Sequence, residues 1–281
     1  MKRRISETIF KIALIGATGI IMAALLAILG TVIAKGAGSI SWSLITKPPT
    51  GDYYLGGGGG VANAIVGSLY LGIGATALAL MISLPTVLYL RSFAGGTRFA
   101  GAIRGLLDVL WGVPSIVFGA FGFTIMAFLG LRASLLAGII TVAMFELPIM
   151  IRAIDEVVKM VPHELDEASY ALGSTRFETA VKVVAKQAFP GIITGSLLAF
   201  GRGVGDAASV MFTAGFTDRM PGALSQPAAT LPLAIFFQLG TPFESVQKKA
   251  YGAALLLVIL VLSMSILSRF LSARLSRYTA K

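Results

Sequence analysis

Two ionisable residues, Arg202 and Asp206, stand inside the apolar run from Ala188 to Ala214. A charge at the centre of a membrane helix costs about 2.5–3.5 kcal/mol on insertion scales, so such residues persist where they pair or bind. Arginine stays charged, and its planar fork of donors fits the oxygens of a phosphate or a carboxylate. Asp206 follows four residues later, the spacing at which two side chains share a helix face. It can balance Arg202 when no anion is present, or accept a proton from an oxyanion's hydroxyl. Read as one continuous helix, the run puts Gly191, Gly195, Ala199, Arg202, Asp206, Ser209 and Thr213 within about 80° of one another. Leu197, Phe200, Val204 and Met211 fall outside that sector. The sector is then either a polar pathway, with Arg202, Asp206 and Ser209 meeting an anion, or a packing face with an internally satisfied pair. On both readings Gly191-x-x-x-Gly195 and Gly201-x-x-x-Gly205 permit close helix approach.

Other chemistries find less support. Glu146, in Phe145-Glu146-Leu147-Pro148, either faces the interior of a bundle or sits at an interface near Arg152. With no cysteine and a single histidine, His163, the chain holds neither disulfides nor thiolate or histidine-cluster metal sites. Gly203-Val204-Gly205-Asp206 matches the Gly-x-Gly-Asp of intramembrane aspartyl proteases, but that chemistry needs a second carboxylate sharing a proton. Asp108, after Leu107, and Glu146 are not in such a motif. Nowhere does Gly-x-x-x-x-Gly-Lys-Ser/Thr occur, so the chain has no phosphate-binding loop for ATP. The five glycines Gly56–Gly60 have no Gly-Lys-Ser/Thr after them and no strand before them; they read as a flexible external loop.

The elements that must position these residues are membrane helices. Of 281 residues, 56% are hydrophobic and 13% charged, against about 25% charged in soluble domains. Mean hydropathy is +0.85. Six spans emerge: Ile12–Ala34, Val61–Leu90, Val109–Gly130, Ala133–Ile151, Ala188–Ala214 and Ala250–Leu271. The first follows Lys2-Arg3-Arg4 but exceeds the roughly 7–15 apolar residues of a signal peptide, and reads as uncleaved. Pro85 and Pro114 are tolerated where neighbours satisfy the freed carbonyls. With the N-terminus inside, sixteen Lys and Arg fall on the cytoplasmic side and six outside, Arg202 being the last of the 23. Both termini are therefore expected in the cytoplasm of an inner-membrane protein. The net charge of +10 flanks the spans and does not mark a nucleic-acid face.

Residues 152–187 form a long cytoplasmic loop. His163–Gly173 reads as a short amphipathic helix: Pro162 starts it, acids occupy its first turn and Gly173 stops it. Leu165, Ala168, Ala171 and Leu172 make an apolar stripe that needs covering, by the protein's own loops, by headgroups or by a partner.

Glu167-Ala168-Ser169, followed after three residues by Gly173, resembles the EAA loop of ABC-importer permeases. Ser169 stands at the second Ala of that pattern, Val183 at its Ile, and Ala185-Lys186 at its Leu-Pro. The resemblance implies that Glu164, Glu167, Ala168, Ala171, Leu172 and Gly173 form a coupling helix docked on a cytoplasmic ATPase. Gly201-Arg202-Gly203-Val204-Gly205-Asp206-Ala207-Ala208 is similar to the Gly-Arg-x-x-Gly-Glu-Thr-Ala segment of PstA-type permeases of the phosphate-specific transport system. Asp206 stands for the Glu and Ala207 for the Thr. Further matches are Asn63–Leu69, Gly112-Val113-Pro114-Ser115-Ile116-Val117-Phe118-Gly119 and Leu231-Pro232, within about residues 60–270.

The resemblance implies an all-α integral membrane protein with six transmembrane helices, forming a single permease domain over 1–281 with the type I ABC-importer fold. It implies a transporter subunit, not an enzyme, paired with a PstC-type permease. A PstB-type ATPase homodimer carrying the ATP and Mg, and an external PstS-type phosphate-binding protein, complete the assembly. The chain itself binds no cofactor; its surroundings are membrane lipid, not nucleic acid. Sulfate, molybdate and phosphonate remain alternative substrates. An ion-coupled secondary transporter fits less well, because no internal repeat is visible.

Overall fold

The computed structural model describes the backbone of residues 2–275 and the side chains of residues 7–274. The side chains of Lys2, Arg3 and Arg4, and the whole of Arg277 and Lys281, all used in the charge count, lie outside the described residues. In chain order the helices are α1 (Lys2–Gly36), α2 (Trp42–Thr46), α3 (Ala62–Ser92), α4 (Arg98–Trp111), α5 (Ser115–Phe128), α6 (Leu135–Lys159) and α7 (His163–Ala171). Next, α8 (Arg176–Glu178) runs through a π turn (Thr179–Val184) into α9 (Ala185–Gly205), before α10 (Leu231–Leu239) and α11 (Glu244–Leu275). Among the described residues the only β pairing is an isolated bridge between Pro49 and Gly59.

Among the described residues five helices are long and apolar enough to span, and α4 with α5, bent by 99°, pass the same test of length and hydropathy only as a pair, as a broken span or a re-entrant loop would. The expected third span, Val109–Gly130, therefore divides at Gly112-Val113-Pro114. Pro114 lacks an N–H and disfavours helical backbone at the residue before it. The new helix starts at Ser115, while Thr97 and Ser134 cap α4 and α6 by accepting from Ala100 N (3.2 Å) and Ala137 N (3.3 Å). Pro85, Pro148 and Pro190 lie within α3, α6 and α9 without ending them.

The centre is built by α3, α6 and α9. Leu71, Ala75 and Ala79 of α3, Val142, Met150 and Ile154 of α6, and Ala188 and Ala199 of α9 share one buried cluster. Alanines recur among these contacts, where apolar surface gains nothing over lipid and association depends on close backbone approach. By contrast α1, which runs beside α11, exposes Ile12, Ile20, Leu26 and Ile28 to its surroundings.

At the end of the bundle where α3 begins, residues 37–60 and α10 form a closed cap. Tyr53 is buried and donates to Gln238 Oε1 at 3.3 Å, with the Lys249 ammonium 4.2 Å from its ring centroid. The glycine run is part of this cap and not the flexible loop expected. A side chain at Gly60 would collide with the carbonyls of Ser43 and Leu44, and Gly59 holds φ +105° against Pro48 and Thr50.

Candidate functional site

Helix α9 ends at Gly205, so Asp206 does not continue the face on which Arg202 lies. Asp206 has extended backbone (φ −83°, ψ 124°), and its Oδ2 accepts from Ser209 N at 2.7 Å. A carboxylate bonded three residues ahead in this way starts a new helical turn and competes with continuation of the old one. The turns it starts carry Met211 N to Ala207 O and Ala214 N to Val210 O. No Arg202–Asp206 ion pair occurs among the described residues; the sequence-based sector from Gly191 to Thr213 is broken in two.

Arg202 instead projects from α9 as an exposed residue, its guanidinium carbon 5.2 Å from the centre of the Phe145 ring on α6. Phe145 is buried and meets Phe118 of α5 edge-on at 5.9 Å. The next residue, Gly119, lets the backbone after α9 come close: a Cβ there would lie 2.8 Å from the carbonyls of Ala208 and Ser209. The Gly112–Gly119 segment and the Gly201–Ala208 segment thus meet in one place. Asp206 is half-buried there, and Ser209 is buried with its Oγ unpartnered. Among the other glycines of the run, Gly191 faces Val157 and Gly195 faces Ala153, both on α6. Gly205, expected to help helices approach, faces open space within this chain.

Glu146, one residue after Phe145, is fully buried between α3, α6 and α9. Its Oε2 accepts from Thr76 Oγ1 at 3.1 Å, and its Oε1 is unpartnered against Gly203. The interior alternative for Glu146 is therefore the one observed. Arg152 lies near Asp108 and Glu156 instead, each at 3.7 Å.

At the opposite end of the bundle from the cap, α7 begins after Pro162 and closes on Gly173 (φ +84°). Its inward side is not the predicted apolar stripe. Leu165 packs on the core, while Asp166 and Ser169 are buried. Glu164, Glu167, Ala168, Ala171, Leu172 and Gly173 all point outward, Leu172 at 88% exposure, so the protein's own loops do not cover them. Ser169, the departure from the usual alanine, exchanges a hydrogen bond with Thr179 at 2.9 Å. Asp166 accepts from Arg91 of α3 at 2.9 Å. Neither Arg91 nor Thr76 stood out in the sequence. A basic residue at the end of a span and a threonine inside one are both ordinary.

Residues 90–280 match the family of binding-protein-dependent transport system inner membrane components. The chain is 34% identical to the phosphate transport system permease protein PstA of Yersinia pestis, over 88% of this chain and 83% of that one. It is 33% identical to the phosphate transport system permease protein PstA 1 of Mycobacterium tuberculosis, over 99% and 92%. The chain belongs to the PstA permease family.

Its fold is that of ABC-importer permeases. A chain of the inward-facing MetNI methionine ABC transporter superposes with TM-score 0.60 at 19% identity, over 76% of this permease and 95% of that chain. A chain of a bacterial alginate ABC transporter superposes with TM-score 0.61 at 11% identity, over 95% and 96%. This PstA-family permease is accordingly a multi-span inner-membrane component. The site at Arg202 and the outward face of α7 lie within the matched residues, at opposite ends of the continuous helix from Arg176 to Gly205.

Proposed function

We propose that the chain is one of two permease subunits in an ATP-driven importer of inorganic phosphate and lines half of the pathway. The carrying observation is Arg202: an exposed guanidinium inside a spanning region, held over Phe145 and, among the described residues, in no ion pair with a carboxylate. A cation kept unpaired at that depth is favoured where an anion comes to it. The names of the relatives supply the anion, phosphate. Arg202 offers two parallel donors to it. Asp206 holds the turn that presents Ser209, and its half-buried carboxylate stands ready to accept a hydroxyl proton from the substrate.

In this reading the outward face of α7, from Glu164 to Gly173, docks on a PstB-type ATPase homodimer that binds the ATP and Mg. A PstC-type permease supplies the other half of the pathway, and a PstS-type protein delivers phosphate from outside, with both termini of this chain in the cytoplasm. The test is phosphate uptake by vesicles holding the co-expressed subunits. Uptake should require ATP and the ATPase and should withstand excess sulfate or molybdate. Uptake by this chain alone under an ion gradient would refute the proposal, as would preferential transport of another oxyanion.

A further inference from the structure

Beside the packing of Leu165 on the core, helix α7 is fastened to the membrane bundle by two polar contacts that lead to the same place. The first is the ion pair between Arg91 Nη1 and Asp166 Oδ2 at 2.9 Å, its side chains only 8% and 13% exposed. Arg91 Nη2 also donates to the carbonyl of Val161 at 3.1 Å, just ahead of α7. The second is the buried hydroxyl pair of Ser169 and Thr179. Thr179 is the first residue of the π turn that leads into α9. A π turn carries one residue too many for the α register, which makes it the compliant part of a helix and a frequent companion of functional sites. The Arg91 route enters α3, which stays helical from Ala62 to Ser92, through Pro85. About 22 Å along that helix at 1.5 Å per residue, α3 reaches the neighbourhood of Arg202. There Thr76 bonds Glu146, and Gly72 seats the ring of Phe200 and the side chain of Val204 on α9.

We infer that the Arg91–Asp166 pair is a positioning pair that carries movement of α7 into α3, so that α3 and α9 shift together around Arg202. This rests on the proposed docking of an ATPase on α7. Without the pair, α7 would keep only the apolar packing of Leu165 and its bond to the π turn, and hydrolysis would run with far less movement of the site. A buried pair that merely held the fold would affect assembly, not the ratio of phosphate imported to ATP consumed.

The experiment measures that ratio in vesicles containing the full importer. Wild-type vesicles must import phosphate at the expense of ATP; if they do not, the proposed function fails and not this inference. Asp166→Asn keeps the side-chain shape and should leave ATPase co-purification intact while lowering phosphate per ATP at least about tenfold. Arg91→Gln cuts the same pair from the other side and should match it, which covers failure of either variant to assemble. The reversed pair, Arg91→Asp with Asp166→Arg, should recover most of the ratio. A ratio within twofold of wild type in either single variant that assembles overturns the inference. So does an assembled reversed pair with a ratio as low as the single variants.

Discussion

Gly203 of α9 and Glu146 of α6 occupy complementary halves of one site: the carboxyl fills the space that any side chain on Gly203 would take. Glu146 reaches Thr76 on α3 with its other oxygen, so a single acid touches all three central helices. It does so one residue from Phe145, over which Arg202 lies, and Gly203 directly follows Arg202. The placement of Arg202 therefore depends on how closely α9 approaches α6 at this level.

Gly203→Ala should separate the two helices. Overpacking a well-filled interior costs about 1–3 kcal/mol, and here the obstacle is the end of the Glu146 side chain, which is fully buried and bonded to Thr76 and so has little room to yield. The expected outcome is a lower melting temperature of the purified assembly together with reduced phosphate uptake. Glu146→Ala in the same chain should restore part of both, because residues in contact are not additive. A double variant showing the plain sum of the single effects would mean that the two residues do not compete for space.

Asp206 separates two roles by two substitutions. Asp206→Ala removes the acceptor for Ser209 N and should cost about 0.5–2 kcal/mol, the range for a lost helix cap. Asp206→Asn keeps the acceptor and loses the charge, so stability should stay near wild type. If the carboxylate also accepts a substrate proton, Asn should depress uptake about as much as Ala does. Normal uptake with Asn would reduce Asp206 to a cap.

The long spans are legible in the sequence because a helix that meets lipid must be apolar over about 20 residues, and nothing else in the chain looks like that. Pro162 and Gly173 likewise bound α7 by backbone chemistry that does not depend on context. The end of α9 is not legible in the same way. Four-residue spacing implies a shared face only if the helix continues, and Asp206 is the residue type that ends it by bonding its own downstream backbone. The inward side of α7 is hidden for a related reason. Asp166 and Ser169 look like the polar side until Arg91 and Thr179, distant in sequence, arrive to pair with them.

Glu167→Lys tests the outward face of α7. Glu167 is exposed and, among the described residues, makes no side-chain hydrogen bond or ion pair, so reversal of its charge should leave the stability of this chain within about 0.5 kcal/mol. Co-purification of the ATPase should nevertheless fall sharply, since reversing a charge within an interface destroys its electrostatic complementarity. Unchanged association and uptake would remove this face from the docking surface.

Arg202 sits where its charge, its shape and its aromatic neighbour can be told apart. Arg202→Ala should abolish phosphate uptake while the subunits still assemble, because the residue is exposed and, among the described residues, its guanidinium makes only the contact with the Phe145 ring. Arg202→Lys keeps the charge but loses the planar fork that engages two oxygens at once. Uptake at limiting phosphate should then fall about tenfold, which corresponds to about 1.4 kcal/mol of lost interaction. Phe145→Leu keeps an apolar support but removes the π face, worth about 0.5–1 kcal/mol to an exposed cation. Its effect should therefore be smaller than that of Arg202→Lys and should disappear in the Arg202→Ala background, where no cation remains to be held. Equal uptake by Arg and Lys would make Arg202 a point charge. A Phe145→Leu loss that persists without Arg202 would assign Phe145 to packing against Phe118 and not to holding the guanidinium.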